Sequence, residues 1–269
     1  MLAQRAASDP SRHLKFLQRW LVTNLFHSLP VHESVYSYRK GRSVKDHARL
    51  HAKTKYTLRI DFQNFFPSIR SADLRHLFQA NLRNLSLPLS AGDIQTICSI
   101  VCKHGRLTIG APSSPALSNA VLYDFDKYWN RRAVRIGAVY SRYADDIYFS
   151  TNRPKVLSGI LSSLKSDLGS RQFPRLRLNE AKTVLTSRKR KRVVTGLIVT
   201  PSGKISLGRD KKRMIKTLVY LYGLKKLTAD QARSLQGHIA YARSIEPKFL
   251  VSLETKFGKE VVEAIVLGT

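Results

Sequence analysis

Acidic residues are scarce in this chain: 18 Asp and Glu face 47 Lys and Arg over 269 residues, a formal net charge of +29. Such an excess repels itself unless a polyanion accompanies it, and nucleic acid is the commonest polyanion. A membrane surface would attract the same charge, but no basic amphipathic stretch stands apart. Cysteine is almost absent. Cys98 and Cys102 alone cannot build a disulfide framework, and His104 does not complete a tetrahedral zinc set. Their spacing of four puts both on one face of a helix, as buried free thiols, and a reducing, cytoplasmic compartment is expected. No apolar run reaches transmembrane length, and residues 1–10 are too polar for a signal-peptide core. Neither an internal repeat nor a long linker is visible.

What is present is a chain with 43% hydrophobic residues, long enough for one large domain or two or three subdomains. Leu14, Leu17, Leu21 and Leu25, widened by Phe16, Trp20 and Phe26, predict an amphipathic helix over 13–28. Helices are also expected over 43–53, 71–82, 93–101, 116–132 and 156–168, with a strand over 57–61. Residues 183–206 suggest two short strands around Pro201-Ser202-Gly203. Thr228-Ala229-Asp230-Gln231 fits a capping box ahead of a helix to Ala242. The pattern is α+β, with a small central sheet and a helical C-terminal third.

Two features concentrate negative charge. Tyr143-Ala144-Asp145-Asp146 lies between β-formers and predicts a tight hairpin carrying adjacent carboxylates. A solvated turn accounts for it, and so does a divalent metal carrying a polyphosphate. Asp61 ends the strand over 57–61, where an aspartate can cap a following helix or join a metal site.

The segment from Asp61 to Ile69 resembles motif A of reverse transcriptases, and Tyr143 to Asp146 resembles their YxDD box. Further segments follow in the family's order. Tyr38 to Ser43 resembles the basic fingers segment that meets a triphosphate, and Leu107 to Asn119 resembles motif B. There Ile109 stands where glutamine is usual. Leu178 to Thr183 resembles motif D, with Lys182 as its lysine. His47-Ala48-Arg49-Leu50-His51 resembles the NAxxH element of bacterial retron reverse transcriptases, with His47 in place of Asn, and Val194-Thr195-Gly196 matches their VTG element. The resemblance runs from about residue 30 to about 250. The resemblance carries no expectation of an endonuclease or maturase-like extension after the thumb, in contrast to group II intron proteins.

This resemblance implies a right-hand polymerase: fingers at 1–56 and 70–105, a palm with a small antiparallel sheet at 57–69 and 106–205, and a helical thumb at 206–269. Asp61, Asp145, Asp146 and Lys182 would be catalytic. Asp61, Asp145, Asp146 and the Phe62 backbone carbonyl would hold two Mg²⁺ ions about 3.5–4 Å apart. Arg39, Lys40, Arg42, Phe66 and Gly110 would bind the dNTP, with Phe66 as a steric gate against the 2′-hydroxyl. His51, Tyr143, Arg190, Arg192, Val194, Thr195, Gly196, Lys211 and Lys212 would contact nucleic acid. The run from Arg188 to Arg192 equally suits a solvated loop.

The expected activity is RNA-directed DNA synthesis, copying a cognate structured noncoding RNA, both template and primer, into an RNA–DNA hybrid (msDNA). A role in antiphage defence with a separate effector protein follows from the same resemblance. A template-independent, defence-associated or abortive-infection reverse transcriptase is the alternative. A non-catalytic RNA-binding protein on a polymerase scaffold is a third reading.

Overall fold

The computed structural model describes residues 10–85 and 88–268. In chain order its elements begin with α1 (Arg12–Asn24), α2 (Val44–Leu50), β1 (Tyr56–Phe62), α3 (Phe65–Ser68), α4 (Ser71–Asn81) and α5 (Ala91–Val101). They continue with β2 (Cys102–Lys103), β3 (Arg106–Leu107), α6 (Ser114–Val121), α7 (Tyr123–Arg135), β4 (Ala138–Tyr143), β5 (Asp146–Thr151), α8 (Val156–Ser170) and β6 (Leu178–Ser187). The remainder is β7 (Arg192–Val194), β8 (Leu197–Val199), β9 (Ile205–Ser206), α9 (Arg209–Gly223), α10 (Ala229–Ile245), α11 (Pro247–Phe257) and α12 (Lys259–Leu267). The chain divides into two compact units, one of Met1–Ser43 with Thr54–Thr186, the other of Val44–Lys53 with Ser187–Thr269.

In the first unit, a four-stranded sheet has the order β4-β5-β1-β6, with β5 antiparallel to both β4 and β1. Side chains alternate between its faces. Leu58 and Ile60 of β1, Ile147 and Phe149 of β5 and Tyr140 of β4 are buried in the core. Trp129 of α7 meets the Phe149 ring edge-on at 5.7 Å. The opposite face carries Arg59, Asp61, Asp146 and Tyr148, a polar set that period-2 alternation delivers directly. One core-side position breaks the pattern: Arg142, paired with Ile147, is fully buried.

Several elements depart from the expected outline. The N-terminal helix stops at Asn24 and buries only part of its apolar stripe: Leu21, Leu25 and Phe26 are inside, whereas Phe16, Leu17 and Trp20 are exposed. Gln18 takes an inward place instead, its amide donating to the Ile100 carbonyl at 2.9 Å. The helix expected over 116–132 is two, α6 and α7, breaking at Leu122. Cys98 and Cys102 are both free, but only Cys98 lies on α5; Cys102 caps it, and burial pushes its thiol up to about 12. The region 183–206 holds the end of β6 and three short strands rather than two, because alternation over such lengths carries little signal.

The second unit combines α2 with a three-stranded sheet, order β7-β8-β9, and the helices α9 to α12. Its core includes Ile215, Leu235, Ile239, Leu253 and Val262. The capping box forms as expected: the Gln231 N–H donates to Thr228 Oγ1 at 3.3 Å, and the Thr228 N–H donates to Gln231 Oε1 at 2.9 Å. Among the described residues, no helix is long and apolar enough to cross a membrane.

Candidate active site

Strand register brings the sequence-predicted carboxylates together. Asp61 and Asp146 are directly opposed across β1 and β5, and Asp146 is opposed on its other side by Tyr143 of β4. Ala144 and Asp145 form the two-residue turn, with Ala144 at φ 55°. The Phe62 N–H donates to the Asp145 carbonyl at 3.0 Å, which ties the turn to the end of β1. Three carboxylates from two sequence segments therefore occupy one end of one sheet.

Each opposed carboxylate carries a cation. The Arg59 guanidinium donates to both oxygens of Asp146, at 2.9 and 3.1 Å. Lys182 Nζ, reaching from β6, donates to both oxygens of Asp61, at 3.3 and 3.2 Å. Burial raises the Asp146 pKa and Arg59 opposes that shift; the net direction is upward, aided by the charges of Asp145 and Asp61. Arg59 was absent from the sequence-based set. The signal that could have found it is its period-2 spacing from Asp61 on one strand face.

The donor set is chemically suited to Mg²⁺, which favours a few hard carboxylate oxygens over a closed protein cage. Among the described residues, no three His, Cys, Asp or Glu side chains already form a metal-holding group.

The chain matches the family model described as reverse transcriptase (RNA-dependent DNA polymerase) over residues 3–218. It is 33% identical to the retron Ec83 reverse transcriptase of Escherichia coli over 273 residues, covering 98% of this chain and 86% of that protein. It is 34% identical to the retron Ec73 reverse transcriptase of the same organism, covering 96% of this chain and 84% of that protein. The chain belongs to the retron-type reverse transcriptases. It is an RNA-directed DNA polymerase with the right-hand polymerase fold. The structure of apo telomerase from Candida Tropicalis resembles it in fold at 10% identity and a TM-score of 0.50. That match covers 91% of this chain but only 50% of the telomerase chain, so this reverse transcriptase spans about half its length.

The remaining expected site residues fall into three groups. In the basic segment, the Arg39 guanidinium donates to the backbone carbonyls of His32 (3.0 Å) and Val35 (3.3 Å), and Arg42 lies over the Tyr36 ring. Lys40 is exposed. Tyr38 sits at φ 57° with more than half of its surface exposed, and its phenol pKa is raised by the partial desolvation that remains and then by the Asp145 charge. In the motif A and B segments, Phe65 is in the core while Phe66, tilted against it, is only half-buried. Gly110 has φ 89°, a conformation open to glycine at no steric cost, and Ile109 beside it is exposed. Ser114 Oγ closes the motif B turn by donating to the Thr108 carbonyl at 2.7 Å.

The third group lies in the second unit. His51 and Arg192 are buried inside it, as is Val194, while Arg190 and Gly196 are exposed. His51 and His47 meet edge-on at 5.5 Å, and burial drives both imidazoles towards the neutral form, His47 down to about 3. His47 Nδ1 lies 3.4 Å from Thr195 Oγ1, so this pair backs the Val194-Thr195-Gly196 loop from within. Lys212 pairs with Glu246 at 2.6 Å and Lys211 lies over the Tyr241 ring.

Proposed function

We propose that this enzyme copies a cognate structured noncoding RNA, serving as template and primer, into an RNA–DNA hybrid by two-metal nucleotidyl transfer, in antiphage defence with a separate effector protein. The observation that carries the chemical half of this reading is the register pairing of Asp61 with Asp146, with Asp145 in the adjoining turn. The biological half rests on similarity to retron enzymes along nearly the whole chain.

Asp61, Asp145 and Asp146, with the Phe62 carbonyl, would hold two Mg²⁺ ions. A metal pair bound there would supply a lowered pKa at the primer 3′-hydroxyl and charge neutralisation at the triphosphate. The chain's own groups do the rest. Lys182, half-exposed beside Asp61, would give a proton to leaving pyrophosphate. Lys40 and Arg42 supply charge to the triphosphate. Phe66, less buried than Phe65, presents its ring against the sugar and selects deoxynucleotides. Residues 1–56 and 70–105 act as fingers, 57–69 and 106–205 as palm, and 206–269 as thumb. Exposed Arg190 and Gly196 and the cations of α9, Lys211 and Lys212 among them, follow the duplex backbone, a contact that gives affinity without sequence readout.

Sequencing the nucleic acid that copurifies tests this reading. A hybrid copied from one structured RNA is expected, lost entirely in Asp145→Ala. Random or homopolymeric DNA would instead establish the template-independent alternative, which the exposed Ile109 at the usual glutamine position keeps in view. Full biological activity in Asp145→Ala would establish the non-catalytic one.

A further inference from the structure

The turn that carries Asp145 is held in a conformation its sequence does not favour. Ala144 sits at φ 55°, in the left-handed region that L-residues avoid and that persists where surroundings impose it. Both of its backbone polar groups are engaged by buried side chains. Its N–H donates to Ser37 Oγ at 2.7 Å. Its carbonyl accepts from Arg142 Nη1 at 3.0 Å.

These contacts close into a ring through Asn119. Arg142 Nη1 also donates to Asn119 Oδ1 at 3.2 Å, and Asn119 Nδ2 donates to the Ser37 carbonyl at 3.1 Å. The amide orientation follows from its partners, since the oxygen faces a guanidinium and the nitrogen faces a carbonyl. Asp126 anchors the ring from α7, accepting from Arg142 Nε at 2.9 Å and from Arg142 Nη2 at 2.7 Å, and Tyr140 donates its hydroxyl to Asp126 at 2.6 Å. Ser37, Asn119, Asp126 and Arg142 are each at most 1% exposed. The backbone before Ser37 is stitched to the same strand, the Tyr36 N–H donating to the Arg142 carbonyl and the Arg142 N–H to the Ser34 carbonyl.

The ring joins three segments that lie far apart in sequence. Ser37 immediately precedes Tyr38 and the basic segment, Asn119 ends the motif B stretch, and Ala144 immediately precedes Asp145. We propose that Ser37 and Asn119 are positioning residues: with Arg142 they lock the Ala144 peptide group, so that Asp145 is held at a fixed place relative to the segment that meets the triphosphate. This rests on the catalytic reading of Asp145 given above. Neither residue touches substrate; they act through the turn.

The test uses Ser37→Ala, which removes one acceptor, and Asn119→Asp, which keeps the acceptor facing Arg142 but cannot donate to the Ser37 carbonyl. Single-nucleotide extension is measured in the full-length enzyme alongside RNA affinity and amide exchange of the peptide spanning 143–146. Both variants are expected to lose about 10- to 100-fold in kcat. RNA affinity should be unchanged, and exchange should rise in the 143–146 peptide without a general rise elsewhere. Retained kcat in both variants, or a kcat loss matched by loss of folded protein and general exchange, overturns the proposal. Asp145→Ala separates the two levels of argument. If that variant remains active, the catalytic reading itself fails, whereas normal Ser37→Ala and Asn119→Asp with an inactive Asp145→Ala removes only the positioning role.

Discussion

Two carboxylate–arginine pairs lie on opposite faces of one sheet, and they have opposite characters. Arg142 and Asp126, on the core side, are both 0% exposed and share Tyr140, Asn119 and the Ala144 carbonyl as further partners. Arg59 and Asp146, on the polar side, are 37% and 17% exposed, and the neighbouring Lys182–Asp61 pair is 48% and 6% exposed. The first pair is closed and satisfied, and a buried charge in that position cannot lose its partner cheaply. The second kind can open, because water replaces what a half-exposed cation gives up. The same ion-pair chemistry thus backs the Ala144–Asp145 turn with a closed pair on one face and holds Asp61 and Asp146 in half-exposed pairs on the other.

Removing one partner from the closed pair is the harshest way to break this contrast. Asp126→Ala should cost about 3–5 kcal/mol, seen as a lower denaturation midpoint, because it strands the buried Arg142 charge. A midpoint shift no larger than that of an Arg59 variant would erase the distinction.

Acid supplies the next largest effect, and it separates the two units. His47 has a folded pKa of about 3, far below its unfolded value, and that of His51 is also well below. The unfolded chain therefore binds more protons, so the second unit loses stability as pH falls below about 6.5. Asp146 behaves in the opposite sense. Its raised folded pKa means that its contribution to stability is full at low pH and is lost as pH rises through that pKa. Lowering the pH should therefore protonate Asp146 ahead of an ordinary aspartate and reduce extension without unfolding the first unit. Far-UV circular dichroism and extension assays run in parallel check both halves, and His47→Gln should flatten the stability profile.

A smaller change is expected at the open pair. Arg59→Met should alter stability by about 1 kcal/mol or less, given the exposure of the pair. It should also lower the Mg²⁺ concentration needed for half-maximal extension, since the guanidinium no longer competes for Asp146. An increased Mg²⁺ requirement would mean that Arg59 orients Asp146 rather than screens it.

The gentlest probe is Ala144→Gly. Glycine adopts φ 55° without the penalty alanine carries, so the denaturation midpoint should stay within about 1 kcal/mol of the parent or rise slightly. A large fall would show that the alanine methyl packs in a way the turn depends on.

Much of the candidate site was legible in the sequence. Asp61, Asp145 and Asp146 meet at one sheet end, because strand ends and hairpin turns announce themselves through alternation and turn residues. Lys182, which reaches Asp61 from within β6, was legible only through the family resemblance. Arg59 and Arg142 were not legible as a pair with opposite fates. They are arginines in ordinary strand contexts, and only register decides which face each meets. Position 142 even contradicts its pattern, since alternation asks for an apolar side chain there. The exposed half of the α1 stripe failed for a related reason: periodicity marks an apolar face without saying how much of it finds a partner.

The sequence by itself determined the charge imbalance, the strand and turn that carry the three aspartates, and the family to which the chain belongs. These are local or compositional properties, set within a few residues of each other. Tertiary structure alone decided that Ser37, Asn119, Asp126 and Arg142 converge behind Ala144, and that Arg59 and Lys182 converge in front. Hydrogen bonds between residues 82 or 107 positions apart leave no local trace, because their geometry exists only once the sheet and its helices have packed.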